Sequence, residues 1–141
     1  MYCVTHATVG GLTAGTAGHP VIAFLGGVIS HIVLDAVPHH DYKRLLWGVF
    51  DFILSLGIIF FFYWQPQFFP GRFFWGALGG ALPDVEVVFH YLLGEGIPRI
   101  FPSHTGLTPH RSLKWPAGFW VQGLLIIAVV AGWCCYRFVG N

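Results

Sequence analysis

Apolar runs separated by short polar or Pro/Gly-rich breaks set out the chain. They fall at about residues 4–17, 20–37, 45–64, 72–93 and 117–137, and each is long enough for a helix. The first is short and rich in Gly, Ala and Thr. Gly18-His19-Pro20 breaks it, and Pro20 suits the first position of a following helix. Neither of the first two runs reaches with ease the roughly 20 residues of a full membrane span. They predict a tight hairpin of short helices packed through small residues. The third run is Leu, Ile and Phe throughout, with Trp47 and Trp64 near its ends in the manner of an interfacial belt. The fourth carries Pro83, which predicts a kink, with Asp84 and Glu86 just beyond it. A polar stretch from Gly94 to Pro116 leads to the last run, an ordinary span ending near Trp133 and Arg137.

Composition sharpens this picture. Hydrophobic residues make up 55 % and charged residues 9 %, with mean hydropathy +0.68, whereas a soluble domain is roughly 25 % charged. The expected fold is a single all-α integral membrane domain over residues 1–141. It would be a polytopic bundle of five hydrophobic segments, the first two a short hairpin. A net charge of +1 without a basic patch excludes a nucleic-acid partner. Cys3, Cys134 and Cys135 lack ligand spacing and read as packing residues. The first residues lack the basic region and cleavage site of a signal peptide.

Placing Lys43 and Arg44 in the cytoplasm puts the N-terminus inside, the 65–72 turn outside and the 94–116 loop inside. Ionisable groups from distant parts of the chain then collect at one depth. His6, His31, Asp35, His39, His40, Asp41, Asp84, Glu86, His90, His104 and His110 all reach the cytoplasmic side, and His19 alone falls on the other.

Within this set, His31 and Asp35 stand four residues apart, on one face of a helix, inside an apolar run. A charged side chain in hydrocarbon costs at least about 2.5 kcal/mol. Binding a divalent cation removes that cost, because carboxylates and neutral imidazoles become ligands. Mixed His/Asp sets suit zinc, or a binuclear site of zinc, manganese or iron. The metal candidates are His6, His31, Asp35, His40, Asp84, His104 and His110. Glu86 and His90 form a second pair at helical spacing, although His90, like His19, also reads as a hydrogen-bonded packing residue. Asp51 reads as a partner of Lys43 or Arg44, Glu95 as a solvated charge, and His39 equally as a ligand or an interfacial cap. A short echo links Leu25-Gly26-Gly27 to Leu78-Gly79-Gly80, with His31 and Asp84 at matching offsets.

Several motifs resemble those of bacterial inner-membrane proteins of the YdjM-like family, the membrane-bound metal-dependent hydrolases. They are Thr5-His6-Ala7-Thr8-Val9-Gly10-Gly11, Gly27-Val28-Ile29-Ser30-His31-Ile32-Val33-Leu34-Asp35, Leu82-Pro83-Asp84 and a His-rich segment from Ser103 to Ser112. The resemblance reaches across the chain except for its last span. Here the His-rich segment has one extra residue between its histidines, and the Ser-His element precedes the Leu-Pro-Asp element. The His-x-x-x-Asp pair is also similar to one in zinc-dependent phospholipases C.

The resemblance implies a metal hydrolase of the bacterial inner membrane with a cytoplasmic N-terminus. Such a metal activates water and polarises a phosphoryl or carbonyl oxygen. Glu86 or Asp41 would act as general base, and Arg111 with Lys114 would hold a phosphate. A site at the membrane surface favours a lipid-borne or phosphorylated small-molecule substrate. Two other classes use the same residues. One is a non-catalytic protein whose cluster is a structural metal site or packing network supporting assembly, for which the Gly-rich hairpin makes a homo-oligomer plausible. The other is a metal or proton transporter, against which stands an outer half bare of polar groups apart from His19.

Overall fold

A computed structural model describes residues 1–42, 44–94, 98–108 and 111–139. Five helices follow the five apolar runs: α1 (Cys3–Ala14), α2 (Pro20–Ala36), α3 (Leu45–Trp64), α4 (Arg72–Leu93) and α5 (Ala117–Val139). Among the described residues there is no strand, only an isolated bridge between His39 and Ser112. Local signals account for several ends. The His19 ring accepts from the Val21 N–H (3.2 Å) and Pro20 opens α2. The chain turns extended at Val37, as a residue before proline should. α4 continues through Pro83.

The span count differs from the sequence expectation of five membrane segments. Among the described residues, α3 and the stretch Ala117–Phe138 of α5 are the two helices long and apolar enough to cross a membrane. α1, with 12 residues, is about 18 Å long, against a hydrocarbon thickness of about 30 Å. α2, with 17 residues, reaches about 25 Å. α4 has the length, but glycines, Asp84, Glu86 and His90 dilute its apolar character.

α4 is the wedge of the bundle, packed against both α1 and α2. Its glycines let backbone meet backbone. A Cβ on Gly27 would collide with the Gly76 carbonyl and the Gly80 backbone nitrogen, and one on Gly80 with the His6 carbonyl. At the end where α3 leaves and α4 enters, an aromatic cluster fills the core. Phe69 stacks on Trp133 (4.7 Å between centroids), with Phe62 and Phe73 beside them. The opposite end gathers the polar groups.

At that polar end α1 begins without a side-chain cap of its own, and other helices supply one. Asp51 on α3 accepts from the Cys3 N–H (2.6 Å) and the Val4 N–H (3.2 Å). The buried Gln122 of α5 accepts from the Tyr2 N–H (2.7 Å) and donates to the His40 carbonyl (2.9 Å). Asp51 was expected to pair with Lys43 or Arg44. It is instead 4 % exposed and used as a cap, while Lys43 lies outside the described residues. Asp51→Ala leaves the buried Cys3 amide and the part-buried Val4 amide without their acceptor and should cost about 1–3 kcal/mol. Asp51→Asn, which keeps an acceptor, should cost less. Thermal unfolding in detergent ranks the two, and equal midpoints would refute the cap.

Candidate metal centre

α1 delivers His6, α2 delivers His31 and Asp35, α4 delivers Asp84, and the segment after α4 delivers His104. These five form two overlapping ligand groups, His6–His31–Asp84 and His31–Asp35–His104. In each, one atom per residue lies within 4.8 Å of the others. The glycine contacts explain the convergence. With Gly27 against Gly80, the residues one helical turn further on, His31 and Asp84, reach the same place. The sequence echo is thus realised in space.

Acceptors at Nδ1 orient two of the histidines, His31 and His104. The Nδ1–H of His31 donates to the Gly80 carbonyl (2.7 Å), which can only accept, so its Nε2 carries the lone pair. That Nε2 lies 3.2 Å from Asp35 Oδ2 and 4.0 Å from Asp84 Oδ1. His104 is set in the same way: Nδ1 faces Glu86 Oε1 at 3.3 Å, and Nε2 lies 3.7 Å from Asp84 Oδ1 and 3.8 Å from Asp35 Oδ2. His6 stacks on His31 (centroids 3.7 Å apart) and places Nε2 3.1 Å from Asp35 Oδ1. Burial lowers the pKa of the His104 imidazole despite the carboxylates around it, keeping it in the neutral, ligating form.

Imidazole lone pairs therefore face carboxylate lone pairs inside the fold. His6 and His31 are fully buried and Asp35 is 1 % exposed. Among the described residues His31 Nε2, Asp35 Oδ2 and Asp84 Oδ2 have no hydrogen-bond partner. A proton shared between imidazole and carboxylate, or a metal ion, reconciles acceptors placed this way. Ligand bonds of 2.0–2.2 Å in a tetrahedron separate neighbouring donor atoms by about 3.3–3.6 Å. The distances from 3.2 to 4.0 Å between these imidazole and carboxylate atoms bracket that edge. The residues fit a divalent metal. The Met1 ammonium, 3.1 Å from both Asp35 Oδ1 and Asp41 Oδ1, adds a positive charge at the edge of the cluster.

The other sequence candidates sit around this centre. Glu86 accepts from the Ile100 N–H (2.9 Å) and the Phe101 N–H (3.0 Å) as well as facing His104. It anchors the loop that carries His104, the arrangement in which a carboxylate orients an imidazole for a metal. Glu86→Gln should weaken metal affinity about 10- to 100-fold without unfolding the protein, as a zinc titration would measure. Asp41 pairs with His39 Nε2 (3.0 Å) and the Met1 ammonium. His40 belongs to neither ligand group; its ring packs edge-on to Tyr2 and its carbonyl accepts from Gln122. The Arg111 side chain is exposed, and its carbonyl accepts from the His39 N–H (3.1 Å). His110 and Glu95 lie outside the described residues.

A cavity of about 420 Å³ opens beside the centre, lined among others by Asp35, Asp41, Asp84 and His104. The exposed Arg44 and Arg99, to which the sequence assigned no role in the site, also line it. Comparison of the chain with protein-family models, curated proteins and solved structures returned no match.

Proposed function

We propose that the chain is a membrane-embedded, metal-dependent hydrolase. Its metal, zinc by the chemistry of the donor set, would be held by three of His6, His31, Asp35, Asp84 and His104, in one or both of the two overlapping groups, leaving a position for water. The observation that carries this is the convergence of His31 Nε2, His104 Nε2 and the Asp35 and Asp84 carboxylates from separate segments, with imidazole and carboxylate atoms 3.2–4.0 Å apart.

The membrane reading draws on the outer surface. Only 22 % of the apolar window of α3 and 11 % of that of α5 is buried, unlike the core helix of a soluble protein. α2 turns Val21, Ile22, Leu25, Ile29 and Val33 outward, all more than half exposed. Such a surface suits lipid. The shorter helices would be accommodated by local thinning of the bilayer. The polar end would face the cytoplasm, as the basic residues prefer. The likeness to YdjM-like hydrolases agrees with this reading.

When bound, the metal supplies activation of water and polarisation of the substrate's phosphoryl or carbonyl oxygen. Asp41, in the cavity wall, takes the proton that water loses as its oxygen bonds to the reacting atom. The ester bond breaks, and the same proton passes to the leaving alkoxide. Glu86 acts through His104, holding its imidazole in the ligating tautomer. A structural reading rests on the double hold of Asp35 by His6 and the Met1 ammonium; in it the cluster ties helices together and hydrolyses nothing.

Elemental analysis of the detergent-purified protein is the test. One or two equivalents of zinc, manganese or iron, with ester hydrolysis that chelation abolishes and zinc restores, are expected. A well-folded protein that stays metal-free when offered zinc would sink the proposal. Tight metal without hydrolysis of any ester would favour the structural reading.

A further inference from the structure

The cavity next to the candidate metal centre has three kinds of lining. Asp35, Asp84 and His104 bring carboxylate and imidazole. Val49 and Phe52 of α3 and Val87 and Val88 of α4, all half-buried, bring apolar surface. Arg44 and Arg99, both exposed, bring positive charge. Among the described residues neither arginine is engaged by a carboxylate.

A water-soluble substrate would gain nothing from the apolar walls, and an uncharged one nothing from the arginines. Two arginines lining one cavity suit a doubly charged phosphate better than a single carboxylate, since each guanidinium offers a planar fork of donors. We infer that this cavity binds a phosphate-bearing amphiphile, its phosphate on Arg44 and Arg99 and its apolar chain along Val49, Phe52, Val87 and Val88. This rests on the hydrolase reading for its purpose and names the substrate class of that site. A head group so held shares one cavity with Asp35, Asp84 and His104, and its chain follows the apolar surface of α3 and α4. An amphiphile already lying in a bilayer reaches such a cavity without crossing water.

Binding separates the inference from the hydrolysis it serves. The full chain in neutral detergent, with and without zinc, is titrated with a long-chain phosphatidic acid, the matching diacylglycerol and glycerol 3-phosphate. Phosphatidic acid should bind at least tenfold more tightly than either fragment. Arg44→Gln with Arg99→Gln should remove that advantage and leave zinc content and diacylglycerol binding unchanged. Val49→Trp should weaken phosphatidic acid, by filling the wall, and spare glycerol 3-phosphate. Glycerol 3-phosphate binding as tightly as the lipid would overturn the inference in favour of a free phosphate ester. Diacylglycerol binding as tightly, with no response to the arginine changes, would overturn it in favour of an unselective apolar groove. If the protein holds no zinc, the hydrolase reading fails, while the metal-free titration still decides the amphiphile.

Discussion

His31→Ala and Asp84→Ala should each reduce zinc affinity by more than about 100-fold, beyond the 10- to 100-fold typical of losing a residue that only orients a ligand. The two residues sit on different helices and are joined through the Nε2–Oδ1 approach of 4.0 Å. Parallel loss in both variants would assign α2 and α4 to one metal. The fold should survive, because the backbone contact of Gly27 with α4 does not depend on either side chain. Asp84→Asn keeps the shape and removes the charge. If the cluster were a hydrogen-bonded network, that variant would fold and behave as wild type, since an amide can still pair. Acidification gives an orthogonal test. Protons compete with metal for the imidazoles, so zinc should leave as pH falls through and below the ordinary histidine value near 6.5. Retention of zinc by His31→Ala would remove His31 from the centre.

Gly27→Leu should be the most damaging single change in the hairpin. The new side chain meets the Gly76 carbonyl and the Gly80 backbone, which cannot rotate away as a flexible side chain would. Overpacking of this kind costs about 1–3 kcal/mol or more, a drop in Tm on the order of 5–10 °C for a chain of this size. It should also release metal, because pushing α2 from α4 takes His31 Nδ1 away from the Gly80 carbonyl. Gly57→Leu on α3 is the control: a Cβ there meets nothing within 4 Å, so stability and zinc content should not change. Equal behaviour of the two variants would show that α2 and α4 are not in backbone contact.

The parts of this arrangement that were legible in the sequence are those governed by short-range geometry or by depth. His31 and Asp35 share a helix face because of a four-residue spacing, and the 3.2 Å approach follows from it. His6, Asp84 and His104 are distant in sequence. They could be grouped because alternating the direction of successive helices sends them to one end. Other roles depended on contacts no local pattern encodes. Asp51 caps a helix 48 residues away. Glu86, expected as a base, is occupied by two amides of a loop whose path no periodicity predicts. The span count went astray for a different reason. Hydropathy reveals an apolar run without saying whether it faces lipid or other helices, and α1 is apolar because α4 covers it.

The order in which the candidate ligands appear along the chain bears on how such a protein would be made. His6 and His31 emerge first, Asp84 follows a long span, and His104 comes from a segment synthesised only after α4 is complete. Before α4 is made the chain offers three of these groups, His6, His31 and Asp35, and neither ligand group is complete. With α4 in place the set His6, His31 and Asp84 is complete, and only His104 with its Glu86 contact is still to come. Metal acquisition would then wait for α4, so that loading follows insertion of the first three helices.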